Sequence, residues 1–110
     1  DCYIGRDCIF DLMDKINIGE RVTISHRAVL NTHTHAGKSP LRNKQLKVSK
    51  GDIKILDGVY LGSNVILLEC ITIGPNSIIG ASSLVNKDLP NNIVGFGIPC
   101  KVKKELNHDN

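Results

Sequence analysis

The feature that most limits what this chain can become is a six-residue period. Ile18, Ile24 and Leu30 stand six apart, as do Ile55, Leu61, Leu67, Ile73, Ile79 and Val85. Ile4 and Leu12 carry the series upstream, with two extra residues between them. All eleven positions are Ile, Leu or Val, although these types make up only 33 of the 110 residues. An amphipathic helix repeats about every 3.6 residues and a half-buried strand about every 2, so neither accounts for a period of six.

Two further positions follow the period. Glycine comes directly after the aliphatic residue at Gly5, Gly19, Gly62, Gly74 and Gly80, where a β-carbon would clash at a sharp corner. Four residues after the aliphatic stands a small or β-branched residue in most units: Cys8, Ile16, Val22, Ala28, Thr34, Val59, Val65, Ile71, Ser77 and Ser83. Such side chains suit short strands that point into a narrow interior. The object implied is a solenoid of short parallel strands, rung stacked on rung. An ordinary small domain anchors its core on aromatic rings. Here aromatics are 4% and Trp is absent, which argues against a core of that kind. A chain of this length encloses little volume, so assembly with copies of itself is expected.

Two segments break the period. Residues 36–54 hold Lys38, Arg42, Lys44, Lys47, Lys50 and Lys54 and read as a basic loop leaving the coil. Residues 91–110 read as a tail that caps the last rung. The whole, 1–110, reads as one domain. It does not begin with Met and enters the pattern almost in mid-unit, so upstream sequence is expected. The charge is mixed, 14 basic against 11 acidic residues, which excludes a histone-like or acidic-tail protein. The longest apolar stretch, Val65–Leu68, is far below the roughly 20 residues a membrane helix needs. Cys2, Cys8, Cys70 and Cys100 form no Cys-x-x-Cys pair and no zinc-finger spacing, so they read as reduced thiols of a cytoplasmic protein.

The stretch LGSNVILLECITIGPNSIIGASSLVNKDLPNNIVGFGIPCKVKKE resembles the C-terminal half of the hexapeptide-repeat acyltransferases, and IGERVTISHRAVLNTHTH resembles their histidine-bearing segment. The likeness is greatest to the galactoside and maltose acetyltransferases and to the O-acetyltransferases of capsular polysaccharide, with the 36–54 loop least alike. It implies an all-β, left-handed parallel β-helix of three hexads per coil. It also implies homotrimers with active sites between subunits, and direct transfer of acetyl from acetyl-CoA to a hydroxyl or amine without an acyl-enzyme.

The same resemblance distributes roles. An acceptor hydroxyl needs a base with a pKa near neutrality, and histidine supplies one. Counted from Ile18-Gly19, the family's catalytic histidine matches His35, with His33 two residues away as the alternative. Gly62 and Ser63 match the backbone donors for the developing oxyanion. Asp11 falls where relatives hold the acceptor, with His33 beside it in that role. Ala81 and Ser82 match positions along the pantetheine, and Lys87, Lys101 and Lys104 match positions at the CoA phosphates. Cys100 stands where many members have Ala. His26 and His108 read as solvated, and the spacing of His26, His33 and His35 does not suit a three-histidine zinc site, so no metal is expected.

Three classes are left by this reading: an O-acetyltransferase for a sugar or polysaccharide precursor, an N-acetyltransferase for an amino sugar, and a β-helix without catalysis. Thr23, Thr32, Thr34 and Thr72 keep no constant offset, unlike the Thr ranks of an ice-binding face. The basic loop lacks the aromatics that stack on bases, which argues against nucleic acid.

Overall fold

The structure, a computed structural model, describes residues 1–42 and 44–106. Its backbone is a parallel β-helix of the left-handed kind expected, without a helix among the described residues. The first coil runs through β1 (Tyr3–Ile4), β2 (Ile9–Phe10) and β3 (Ile16–Ile18). The second begins with β4 (Thr23–Ile24) and β5 (Val29–Leu30), departs through β6 (His33–Thr34), returns through β7 (Ser49–Lys50) and closes with β8 (Ile53–Ile55). The third holds β9 (Tyr60–Leu61), β10 (Ile66–Leu67) and β11 (Thr72–Ile73). The fourth holds β12 (Ile78–Ile79) and β13 (Leu84–Val85), with Leu89 bridging to Ile73 in place of a third strand. An antiparallel hairpin of β14 (Ile93–Gly97) and β15 (Cys100–Glu105) closes the top.

Parallel pairing gathers these strands into three walls of a prism. The first wall is β1, β4, β9, β12 and β14; the second is β2, β5, β10 and β13; the third is β3, β8 and β11. Register puts one inward side chain per coil in each column: Ile4, Ile24, Leu61 and Ile79 in the first wall; Phe10, Leu30, Leu67 and Val85 in the second; Ile18, Ile55 and Ile73 in the third. From Ile24 and Leu30 upward these columns are fully buried, and so are the small residues Val22, Ala28, Val59 and Val65 between them. Each such burial contributes about 1.5–3 kcal/mol, so the six-residue period is the main source of cohesion. The first coil is the least covered, with Ile4 48% exposed.

Two expectations need correction. Leu12 is 72% exposed, and Phe10 takes the column position above which Leu30 stacks. The two extra residues therefore lie after Phe10, not between Ile4 and Leu12. A series followed through aliphatics alone passes over a phenyl ring. The loop is also narrower than 36–54. Its stem is β6 against β7, the Gly51 amide rejoins the coil by donating to the Thr32 carbonyl (3.0 Å), and Ile53 and Ile55 are buried in the third wall with Lys54 on its outer face.

The corner glycines act by what they lack. A β-carbon on Gly5, Gly62 or Gly74 would lie 2.6, 2.7 or 2.5 Å from the backbone nitrogen of His26, Ala81 or Asn91 in the next coil. The left-handed backbone that turns each corner falls two residues later, on Asp7, Arg21, Asn64, Asn76 and Ser82, with φ between 55° and 60°. The hairpin is tied down by two buried hydroxyls. Ser77 donates to the Pro90 carbonyl (2.9 Å), and Ser83 accepts from the Gly97 amide (3.1 Å).

Candidate active site

The edge between the first and second walls is built from one repeated turn. Arg27, Asn64 and Ser82 donate their amides to the carbonyls of Arg6, His26 and Ser63 at 2.9, 3.1 and 2.8 Å. Arg6, His26, Ser63 and Ala81 therefore form one column on this first edge, a residue per coil. Among the described residues the amides of these four have no acceptor. The missing β-carbon of Gly62 leaves the Ala81 nitrogen uncovered. On the edge between the third and first walls the corresponding row is interrupted: the Glu20 amide is taken by the Asp57 carboxylate (2.8 Å), and Pro75 has no N–H. The first edge is thus an open row of donors.

Gly62 and Ser63, expected to act together, divide here. The Gly62 amide donates to the Ile79 carbonyl (2.8 Å) and is consumed by the sheet, so only the Ser63 amide is free. Ala81 and Ser82 stand one coil above, both exposed. At the top of the edge, Lys101 pairs with Phe96 near the hairpin tip, whereas Lys104 pairs with Val94, further along the first wall. Lys103 extends the basic group, its ammonium 5.2 Å from the centre of the Phe96 ring. Its place between Lys101 and Lys104 is visible in the sequence, but its stacking is not. Lys87 follows β13 and stands on the edge between the second and third walls, apart from the others.

That second edge carries the histidines. Asp11 follows β2, and its side chain brackets the base of the excursion. One oxygen accepts from the Met13 amide (3.2 Å); the other accepts from the Thr32 amide (3.0 Å) and the Thr32 hydroxyl (3.2 Å) and lies 2.5 Å from His33 Nδ1. The His33 contact, opposed by partial desolvation and helped by the Met13 and Thr32 amides, holds the Asp11 carboxyl below its ordinary 3.8. In a neutral ring, an Nδ1–H donated to Asp11 would leave Nε2 as the acceptor nitrogen of His33. His35 is exposed just beyond β6, and its Nδ1 accepts the Gly37 amide (2.9 Å). The Thr34 hydroxyl between them donates to Glu69 (2.7 Å), tying the stem to the third coil.

Within one chain, His35 and Ser63 stand on different edges of the prism and do not share a site. His26 is on the first edge instead, with Nδ1 3.4 Å from the Ser63 hydroxyl. The three histidines thus divide between two edges, and among the described residues no three His, Cys, Asp or Glu side chains converge as metal ligands. His108 lies outside the described residues. All four cysteines are free, and burial pushes the Cys100 thiol up. No helix among the described residues is long and apolar enough to cross a membrane.

Residues 52–87 match the family described as bacterial transferase hexapeptide (six repeats). The chain is 41% identical over 92 residues to the galactoside O-acetyltransferase of Lactococcus lactis subsp. lactis, covering 84% of this chain and 44% of that protein. It is similar to a solved galactoside acetyltransferase in complex with coenzyme A, at 33% identity and a TM-score of 0.82, covering 98% of this chain and 56% of that one. A maltose O-acetyltransferase from Clostridium difficile superposes with a TM-score of 0.78 at 29% identity, covering 98% of this chain and 68% of that one. The chain spans about half the length of the curated relatives it matches.

Proposed function

The chain belongs to the hexapeptide-repeat family of bacterial transferases, and on that premise we propose that the protein moves an acetyl group from acetyl-CoA to a hydroxyl of a sugar or polysaccharide precursor. The observation that carries the proposal is the row of unpaired amides on the first edge. A thioester beside Ser63 meets a fixed N–H where charge develops on its carbonyl oxygen. The Ala81 amide, one coil above, is spaced to hold a pantetheine carbonyl, and Ser82 offers a hydroxyl next to it. Lys101 and Lys104 supply positive charge at the upper end for the phosphates of CoA, and Lys87 joins them only from the edge of a neighbouring copy. The names of the galactoside and maltose relatives support a sugar acceptor. Free thiols are in keeping with a cytoplasmic setting.

In this reading His35 removes the acceptor proton as the hydroxyl oxygen attacks the thioester carbon. The new C–O bond forms, the C–S bond breaks, and the proton passes to the leaving sulfur. His35 Nδ1 must first release the Gly37 amide, so the base becomes competent only when that contact opens. Asp11 and His33 orient the acceptor. Because His35 and Ser63 occupy different edges, the site draws on two copies, which supports a homotrimer. An amino sugar is the alternative acceptor, since the same base and donors serve a neutral amine.

One contact favours a second assignment of the base. His33, with Nδ1 held by Asp11, already has the geometry of a base and its orienting carboxylate. Turnover, followed as CoA thiol released in the presence of galactosides and amino sugars, separates the two. His35→Ala should lower kcat by about 10²–10⁴ and leave CoA binding intact, with His33→Ala costing far less. The reverse order would move the base to His33, and full activity in both variants would remove both from the mechanism.

A further inference from the structure

The donor row on the first edge does not stop at Ser63. One and two coils lower, about 5 and 10 Å away, the same column continues through His26 and Arg6. There the edge opens into a cleft of about 350 Å³ lined by Tyr3, Arg6, Asp7, His26 and Arg27. Arg27 is held in place by Nε donating to the Asn64 side chain (3.2 Å), which leaves its two terminal nitrogens free to form a fork. Among the described residues neither arginine nor Asp7 makes an ion pair, and the backbone amides of Arg6 and His26 are unpaired. Two guanidiniums against one carboxylate give the cleft an excess of positive charge. Tyr3 adds an exposed ring of the size a sugar can lie against. His26, 3.4 Å from the Ser63 hydroxyl, joins the cleft to the reaction centre.

We propose that this cleft is an oxyanion subsite for the acceptor, so that the hydroxyl acetylated belongs to an acidic sugar bearing a carboxylate or a phosphate. This rests on the acetyl-transfer reading above. Paired guanidiniums with adjacent amides match the flat fork of a carboxylate and the face of a phosphate, and a neutral sugar would leave both charges uncompensated. Asp7 then accepts from ring hydroxyls. The distance from Arg6 to Ser63 sets which hydroxyl reaches the thioester.

The test uses the full chain and three probes: glucuronate, glucose 6-phosphate and glucose. At least one acid should be acetylated with kcat/KM about 10- to 100-fold above glucose, an advantage that shrinks with added salt. Arg6→Gln should raise KM for that acid about 10-fold and so narrow its advantage over glucose. Binding is read separately from the His26 imidazole resonances, which should shift with the acids and not with glucose. Equal use of glucose and both acids, with no anion-dependent shift at His26, would overturn the subsite. Displacement of the acids by CoA lacking any acetyl group would give the cleft to cofactor phosphates and overturn it as well. If no sugar is acetylated yet the acids still move His26, the acetyl-transfer reading fails and the anion subsite stands.

Discussion

Asp11 is the residue on which the base of the excursion turns. It accepts from Met13, Thr32 and His33, and its carboxyl is held below the ordinary 3.8 chiefly by His33. A carboxyl depressed in the folded state stabilises above its unfolded pKa, and that contribution is lost as pH falls through the folded value. Asp11→Asn should therefore melt earlier than the parent at pH 7, and the gap should close as pH drops below about 3.8. A gap in Tm that is constant from pH 7 to pH 3 would show that the carboxylate charge does not matter there. Ser63 offers a cleaner change. The turn Gly62-Ser63-Asn64 has the same form as Gly74-Pro75-Asn76 on the edge between the third and first walls, so this kind of turn already accepts proline at the matching position. Ser63→Pro should keep the fold, remove one N–H and lower kcat by about 10²–10³. Unchanged turnover would place the oxyanion elsewhere.

At the scale of the corner turn, two positions carry opposite constraints. Gly74 has no room for a β-carbon, and Gly74→Ala should cost about 1–3 kcal/mol because the nearest atoms are backbone of Pro90 and Asn91. Arg21, two residues after Gly19, is exposed with φ 55°, so Arg21→Gly should gain about 0.5–1 kcal/mol by removing left-handed strain. Denaturant midpoints measure both, and a neutral Gly74→Ala would show that successive coils separate easily. These turns also show what was legible beforehand. The buried columns could be read because one inward residue per strand must be apolar in every coil. The shift from Leu12 to Phe10 could not, since an aromatic ring fills a column that Leu30, Leu67 and Val85 fill in the later coils. Glycine's place in the turn was readable; the left-handed residue after it was not, because Asp, Arg, Asn and Ser all serve.

On the scale of the whole molecule, the edges decide what can meet. Sequence likeness named His35, Ser63 and Ala81, but their grouping depends on the coil register, and the excursion conceals that register by putting residues 33–50 between two halves of one turn. The unpaired amides and the Gly37 contact to His35 are likewise invisible in the sequence, because they concern which backbone groups the ladder leaves over. With His35 on the second edge and Ser63 on the first, activity should be restored by mixing. Refolding His35→Ala together with Ser63→Pro in equal amounts should recover about 25% of sites if each draws on two copies of a cyclic trimer. No recovery, or a monomer mass by sedimentation, would end the shared-site model.

The even stacking of the first edge also makes the protein a ruler. Arg6, His26, Ser63 and Ala81 occupy successive coils, so along the proposed reaction path they are spaced by whole steps of about 4.8 Å. Selection can lengthen such a path only by inserting or deleting whole turns, not by degrees. A relative with one more coil between Arg6 and Ser63 would recognise its acceptor one step further from the bond it makes. In this architecture, substrate reach is counted rather than tuned.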